Sequence, residues 1–165
     1  MLERQTRAPK QLGDFGEALV TYTLIRKDYE VAVVDHVGAD LIAEKNGQRI
    51  AISVKTRMFK IGSKESLVFV VEKTHLKKLK DFSTRFGLRP VFALVLSLID
   101  EGIIHLLIMP VEGIERLPKV THGYSLRFSP TKRNELMGLP FVDYSCWKET
   151  LGNKDVLDVN FSTID

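Results

Sequence analysis

An aspartate, a serine and a lysine flank the dipeptide Asn46-Gly47 as Asp40, Ser53 and Lys55. Asn-Gly between two apolar runs is a strong hairpin signal, because both residues tolerate the positive φ of a two-residue turn. That turn makes Lys45 face Gln48, Ala43 face Ile50 and Asp40 face Ser53. Side chains alternate across a strand, so Asp40, Ser53 and Lys55 share one face. Leu41, Ala43, Ile50, Ile52 and Val54 share the other, the expected core face. Opposed Cβ atoms stand about 5 Å apart, so Asp40 and Ser53 can touch one small ligand, with Lys55 one step further along.

An acid, a hydroxyl and an ammonium in that arrangement suit hydrolysis of a phosphodiester. The reaction needs a hard cation, carboxylate oxygens to hold it, and a group that orients or deprotonates the attacking water. Asp40 supplies carboxylate oxygen, and Lys55 can bind the scissile phosphate or act on the water. Arg57 and Lys60, just beyond, can hold neighbouring phosphates. Glu17 reaches the same pocket if the helix that carries it covers the strand ends. The plainer alternative is an aspartate serving a turn and a lysine ending a strand in solvent.

The elements that must position these residues follow from periodicity. Leu12, Phe15, Leu19, Val20 and Leu24 recur at helical spacing between Leu12 and Lys27, with Gly13 and Gly16 allowing close backbone approach. Strands are expected over Val31 to Val34, Ala39 to Lys45, Gln48 to Thr56 and Ser66 to Val71. Thr74 can cap a second helix whose inner face is Leu76, Leu79, Phe82 or Ser83, and Phe86. Phe92 to Ile99 and Ile103 to Met109 read as buried strands joined at Asp100-Glu101-Gly102. The expected order is α-β-β-β-(β)-α-β-β. Residues 1–109 are read as the core, with 1–11 a flexible lead-in, and 110–165 as a C-terminal extension packed on it rather than an independent domain. Phe141, Tyr144 and Trp147 of that extension either anchor it on the sheet or stack on bases, and the anchor is favoured.

With 165 residues, 44% hydrophobic and 27% charged, the chain can bury a full core without disulfide or metal. It lacks an apolar run long enough to span a membrane. The charged start MLERQTRAPK and the single Cys146 point to a cytoplasmic setting. Cys146, beside Trp147, is expected to be buried. The net charge of +3 decides little, but residues 72–90 carry six basic side chains against two acidic ones. Lys73, Lys77 and Lys80 project from one side of that helix and could meet phosphates, or form only a solvated face. The four histidines lack zinc-like spacing, with His36 the nearest to Asp40. No phosphate-cradling glycine loop or nucleophile elbow is present, which removes NTPases and serine hydrolases.

Gly13-x-x-Gly16-Glu17, Gly38-Ala39-Asp40-Leu41-Ile42-Ala43 and Ile52-Ser53-Val54-Lys55-Thr56-Arg57, in that order, resemble the PD-(D/E)xK, restriction-endonuclease-like nuclease superfamily. The pattern is most similar to the archaeal Holliday junction resolvases, and the likeness continues through Val68 to Leu94, from residue 12 to about 109 in all. It implies an α/β fold with a restriction-endonuclease-like core, a mixed central sheet flanked by helices. It also implies magnesium-dependent (or manganese-dependent) cleavage of branched or duplex DNA by a homodimer. Glu17 matches the helix glutamate, Asp40 the metal-binding aspartate and Lys55 the catalytic lysine. Ser53 stands where the pattern has a carboxylate, and a hydroxyl is the poorer magnesium ligand. Glu72 or Glu65 could supply the acid. Alternatively Glu17, Asp40, the Val54 carbonyl and waters suffice, or the site binds DNA or a partner without cutting it.

Overall fold

A helix leads into a three-stranded meander, and that unit carries every residue singled out around the Asn-Gly turn. The computed structural model describes residues 8–59 and 67–148. Helix α1 spans Ala8–Ile25, followed by strands β1 (Glu30–His36), β2 (Ala39–Lys45) and β3 (Gln48–Phe59). Then come β4 (Val68–Glu72), helix α2 (Lys73–Phe86), β5 (Arg89–Leu98) and β6 (Ile103–Pro110). Beyond Pro110 lie α3 (Val111–Ile114), β7 (Lys119–Val120), β8 (Gly123–Arg127), α4 (Pro130–Met137) and β9 (Asp143–Lys148). The order through β6 is the one the periodicity predicts.

The Asn46-Gly47 turn forms as expected, with φ of 53° and 78°, the left-handed pair of a type I′ turn. Its register pairs Lys45 with Gln48, Ala43 with Ile50 and Leu41 with Ile52. β3 continues past Thr56 to Phe59 and pairs in parallel with β5 over its whole length from Ile50↔Arg89 to Phe59↔Leu98. A parallel pair needs a crossover, and α2 supplies it. The six-stranded mixed sheet runs β1-β2-β3-β5-β6-β9, and β4 leaves it to join a separate sheet, β4-β8-β7.

The central sheet is buried on both faces, not on the single face read from the hairpin. Leu41, Ala43, Ile52 and Val54 pack with Val91, Ala93, Val95, Leu106 and Ile108 against Val20 and Leu24 of α1. The other face carries Ala51, Phe92, Leu94, Leu96, Leu107 and Met109 under Leu76, Leu79 and Phe82 of α2. Two-sided burial explains why β5 and β6 read as continuous apolar runs. Asp40, Ser53 and Lys55 therefore sit on the α2 face, where the β2–β3 ladder ends while β3 runs on beside β5.

Both helices depart in detail from their expected faces. The buried positions of α1 are Gly16, Val20, Thr23 and Leu24, whereas Phe15 is exposed. Helical spacing fits Phe15 and Gly16 almost equally, and the close packing on Thr56 selects the glycine. A Cβ built on Gly16 would lie 1.9 Å from the Thr56 Oγ1. The N-cap of α2 is Glu72, not Thr74, and it makes no side-chain cap bond. Phe86, expected inside, is exposed on the last turn of the helix, just before the left-handed cap Gly87.

The segment after Pro110 is woven into both sheets through β8 and β9. Tyr144 and Trp147 lie in β9 opposite Leu107 and Ile104, and Phe141 packs on Gly113, so the aromatic residues anchor this segment. Cys146 is exposed rather than buried, on β9 at the edge of the sheet. Among the described residues no helix is long and apolar enough to cross a membrane.

Candidate functional site

Asp40 opens β2 at the point where the β2–β3 ladder ends. The last rung is Leu41↔Ile52, and beyond it the Val54 N–H donates to Asp40 Oδ2 at 2.6 Å. The side chain thus takes over the ladder's hydrogen bonding and holds its carboxylate beside β3. One residue's N–H and C=O point to the same side of a strand, so the Val54 carbonyl also points toward Asp40. The expected Asp40–Ser53 pair is therefore not part of the ladder; Ser53, next after Ile52, is buried, and Lys55 follows two residues on along the same face.

Glu17 arrives from the other direction. Gly16 rests on Thr56, which brings the next residue of α1 over the end of β3. Burial raises the Glu17 carboxyl above its ordinary range, and the charges of Asp40 and Asp14 add to the rise. Lys10 and Lys55 oppose it. Two carboxylates that repel, with an ammonium beside them, make a locus whose charge a divalent cation would relieve.

Among the described residues no group of three His, Cys, Asp or Glu side chains is placed to hold a metal ion. The donor set fits a hydrated hard cation instead. Magnesium is commonly held by one or two carboxylates, with water and substrate phosphate completing its shell, and Asp40 and Glu17 are two such carboxylates. Glu72 does not complete a three-ligand group. Its Oε2 accepts from the Thr74 hydroxyl at 3.3 Å and lies 4.0 Å from His75 Nδ1. Glu65 and Lys60 lie outside the described residues.

His75 belongs to this neighbourhood, although nothing in its sequence context singles it out. Burial lowers its pKa, and the charges of Lys55, Lys78 and Arg57 lower it further while Glu72 raises it. The helix turns explain the grouping. At about 100° per residue, His75 and Lys78 flank the buried stripe of α2 on the side toward Lys55, while Lys73, Lys77 and Lys80 flank it on the other. Those three lysines line a recess with Glu115 and Tyr124. Lys77 pairs with Asp81 at 2.7 Å and Lys80 with Glu115. Arg57 lies 5.6 Å above the Phe69 ring and donates to the Thr56 carbonyl. His36 does not line the cluster, since it packs against Phe82 and Phe86 at centroid distances of 4.8 and 6.3 Å.

No family model matches the chain, and no curated protein sequence does. Seventeen solved chains match it in structure. Among them is the 1.6 Å structure of Hjc from Archaeoglobus fulgidus, a Holliday junction resolvase from an archaeal hyperthermophile. The two superpose with a TM-score of 0.51 at 16% identity, covering 74% of this chain and 93% of that one. At that identity the likeness speaks to the fold, a mixed α/β core with a central sheet flanked by helices, as in the nuclease.

Proposed function

We propose that this chain is a metal-dependent deoxyribonuclease that hydrolyses a phosphodiester in branched or duplex DNA. The observation that carries the reading is the convergence of Asp40, Glu17 and Lys55 where the β2–β3 ladder ends, on a fold shared with a Holliday junction resolvase. Asp40 and Glu17 hold magnesium or manganese, with the Val54 carbonyl and water as further ligands. When bound, such an ion neutralises charge on the scissile phosphate and lowers the pKa of a water. Lys55 holds a phosphate oxygen or orients the attacking water, and its ammonium stabilises charge that develops on the phosphorane oxygens. Ser53, next to both, can donate a hydrogen bond but brings no charge.

DNA is held by Arg57, whose guanidinium suits a phosphate, with Lys60 beyond it. Lys78 and His75 extend that surface from α2, and Lys73, Lys77 and Lys80 lie on the more distant flank. The homodimer is part of this reading. Val33 and Val37, 73% and 75% exposed on and beside the edge strand β1, offer it an apolar surface.

Incubating the purified protein with four-way junction, flap and duplex DNA in magnesium or manganese tests the proposal. Metal-dependent cleavage is expected, and absence of cleavage with either metal overturns it. Ser53 favours one second reading, a nuclease-fold module that binds DNA without cutting it. Retained binding with a steep salt slope and no cleavage would select that reading.

A further inference from the structure

The end of the sheet remote from Asp40 and Lys55 holds a second recess. α1 stops at Ile25, and past its end lies a strip made by the half-buried Ile50 of β3 beside the buried Val91 of β5 and Ile108 of β6. That strip floors a cleft of about 740 Å³ between Tyr29 and Phe141, within the range of about 300–1,000 Å³ in which small-molecule sites fall.

Charge on this cleft is one-sided. Lys27, Lys45, Arg49 and Arg89 line it against a single carboxylate, Asp143. Two of the cations are engaged in building the wall. Lys27 pairs with Asp143, and Lys45 donates to the Lys27 carbonyl at 2.6 Å and lies 5.7 Å from the Tyr29 ring centroid. The Arg89 guanidinium is freer. Arg89 meets Glu112 at 3.6 Å with both side chains more than half exposed, a contact of little strength in water. Arg49 borders the cleft from the neighbouring position of β3, opposite Glu44, and alternation turns its side chain to the other face from Ile50.

We propose that this cleft binds a nucleotide-sized organic anion, with its apolar or planar body on Ile50, Val91 and Ile108 and its phosphate or carboxylate on Arg89. A DNA backbone phosphate would use the Arg89 guanidinium but leave the apolar floor unused, and a neutral apolar ligand would do the reverse. A ligand carrying both parts complements both. The site is independent of the cleavage reading, because Arg49 and Lys55 are six residues apart on one strand, about 20 Å.

Titrating deoxyadenosine monophosphate into the full-length protein, followed by ¹H–¹⁵N NMR, tests the assignment. Saturable shifts at Ile50, Val91 and Ile108 are expected, weakened at least about tenfold by Arg89→Gln and unchanged by Lys55→Ala. Inorganic phosphate, lacking the apolar body, is expected to bind at least about tenfold more weakly. The NMR spectrum of each variant reports whether it is folded. Four results each overturn the proposal: no saturable shift, shifts centred on Asp40 and Lys55, equal binding of phosphate, or full binding by the folded Arg89→Gln variant. Cleavage of DNA, assayed on the same protein, stands or falls separately.

Discussion

The properties of Glu17 make it a reporter on the site. Burial and the Asp40 charge raise its pKa, so metal held by Glu17 and Asp40 should be lost as pH falls through that raised value. At subsaturating metal, cleavage is expected to rise with pH as the metal competes with the Glu17 proton, and Glu17→Gln should abolish that limb along with most activity. The stability sign is opposite. A folded pKa above the unfolded one means that metal-free stability is greatest below the ordinary value and declines as pH rises through the raised one. Urea unfolding of metal-free wild-type and Glu17→Gln protein checks this, the variant being expected to be the more stable at neutral pH. Ser53→Glu adds the missing charge and should tighten manganese binding about tenfold or more by calorimetry. Asp40, Ser53 and Lys55 were legible because Asn46-Gly47 sets the register by local chemistry alone. His75 and Lys78 were not, because which flank of an amphipathic helix faces a sheet depends on packing that periodicity does not specify.

Between elements, the contact of Gly16 with Thr56 sets how α1 crosses β3. Gly16→Ala forces a methyl into the Thr56 side chain, so α1 must lift. The expected cost is about 1–3 kcal/mol by chemical denaturation, with a loss of cleavage larger than the stability loss explains because Glu17 moves from Asp40. Thr56→Ala in the same chain should recover part of both. A second inter-element contact is polar. His105 of β6 is buried, its Nδ1 lies 2.8 Å from the Tyr144 hydroxyl of β9, and its Nε2 has no partner. Burial, followed by the Arg133 charge, lowers its pKa. The folded chain therefore binds this proton less tightly than the unfolded one. Its stabilising effect is full above the unfolded value of about 6.5 and is lost as pH falls toward the lowered one. The urea midpoint should drop from pH 7.5 to pH 5, and His105→Gln should shrink that drop. This device was invisible in the sequence, since neither the β6–β9 pairing nor the partner of a lone histidine can be read from residues spaced so far apart.

At the scale of the molecule, the α-β-β-β order and the hairpin register were legible because each element has its own period and its own turn residues. The departure of β4 into a second sheet and the return of β9 to the first were not, since both depend on partners distant in sequence. The result is a central sheet covered on both faces, with polar side chains gathered where the β2–β3 ladder ends. Asp40, Glu17 and Lys55 meet there, and the proposed cleavage of DNA belongs to that place. The most direct test is the single-turnover rate of junction cleavage in magnesium for wild type and Lys55→Ala, measured beside the affinity of each for the same DNA. A rate at least about a hundredfold lower, with affinity within about threefold, is the predicted result. Wild-type cleavage by Lys55→Ala would contradict it.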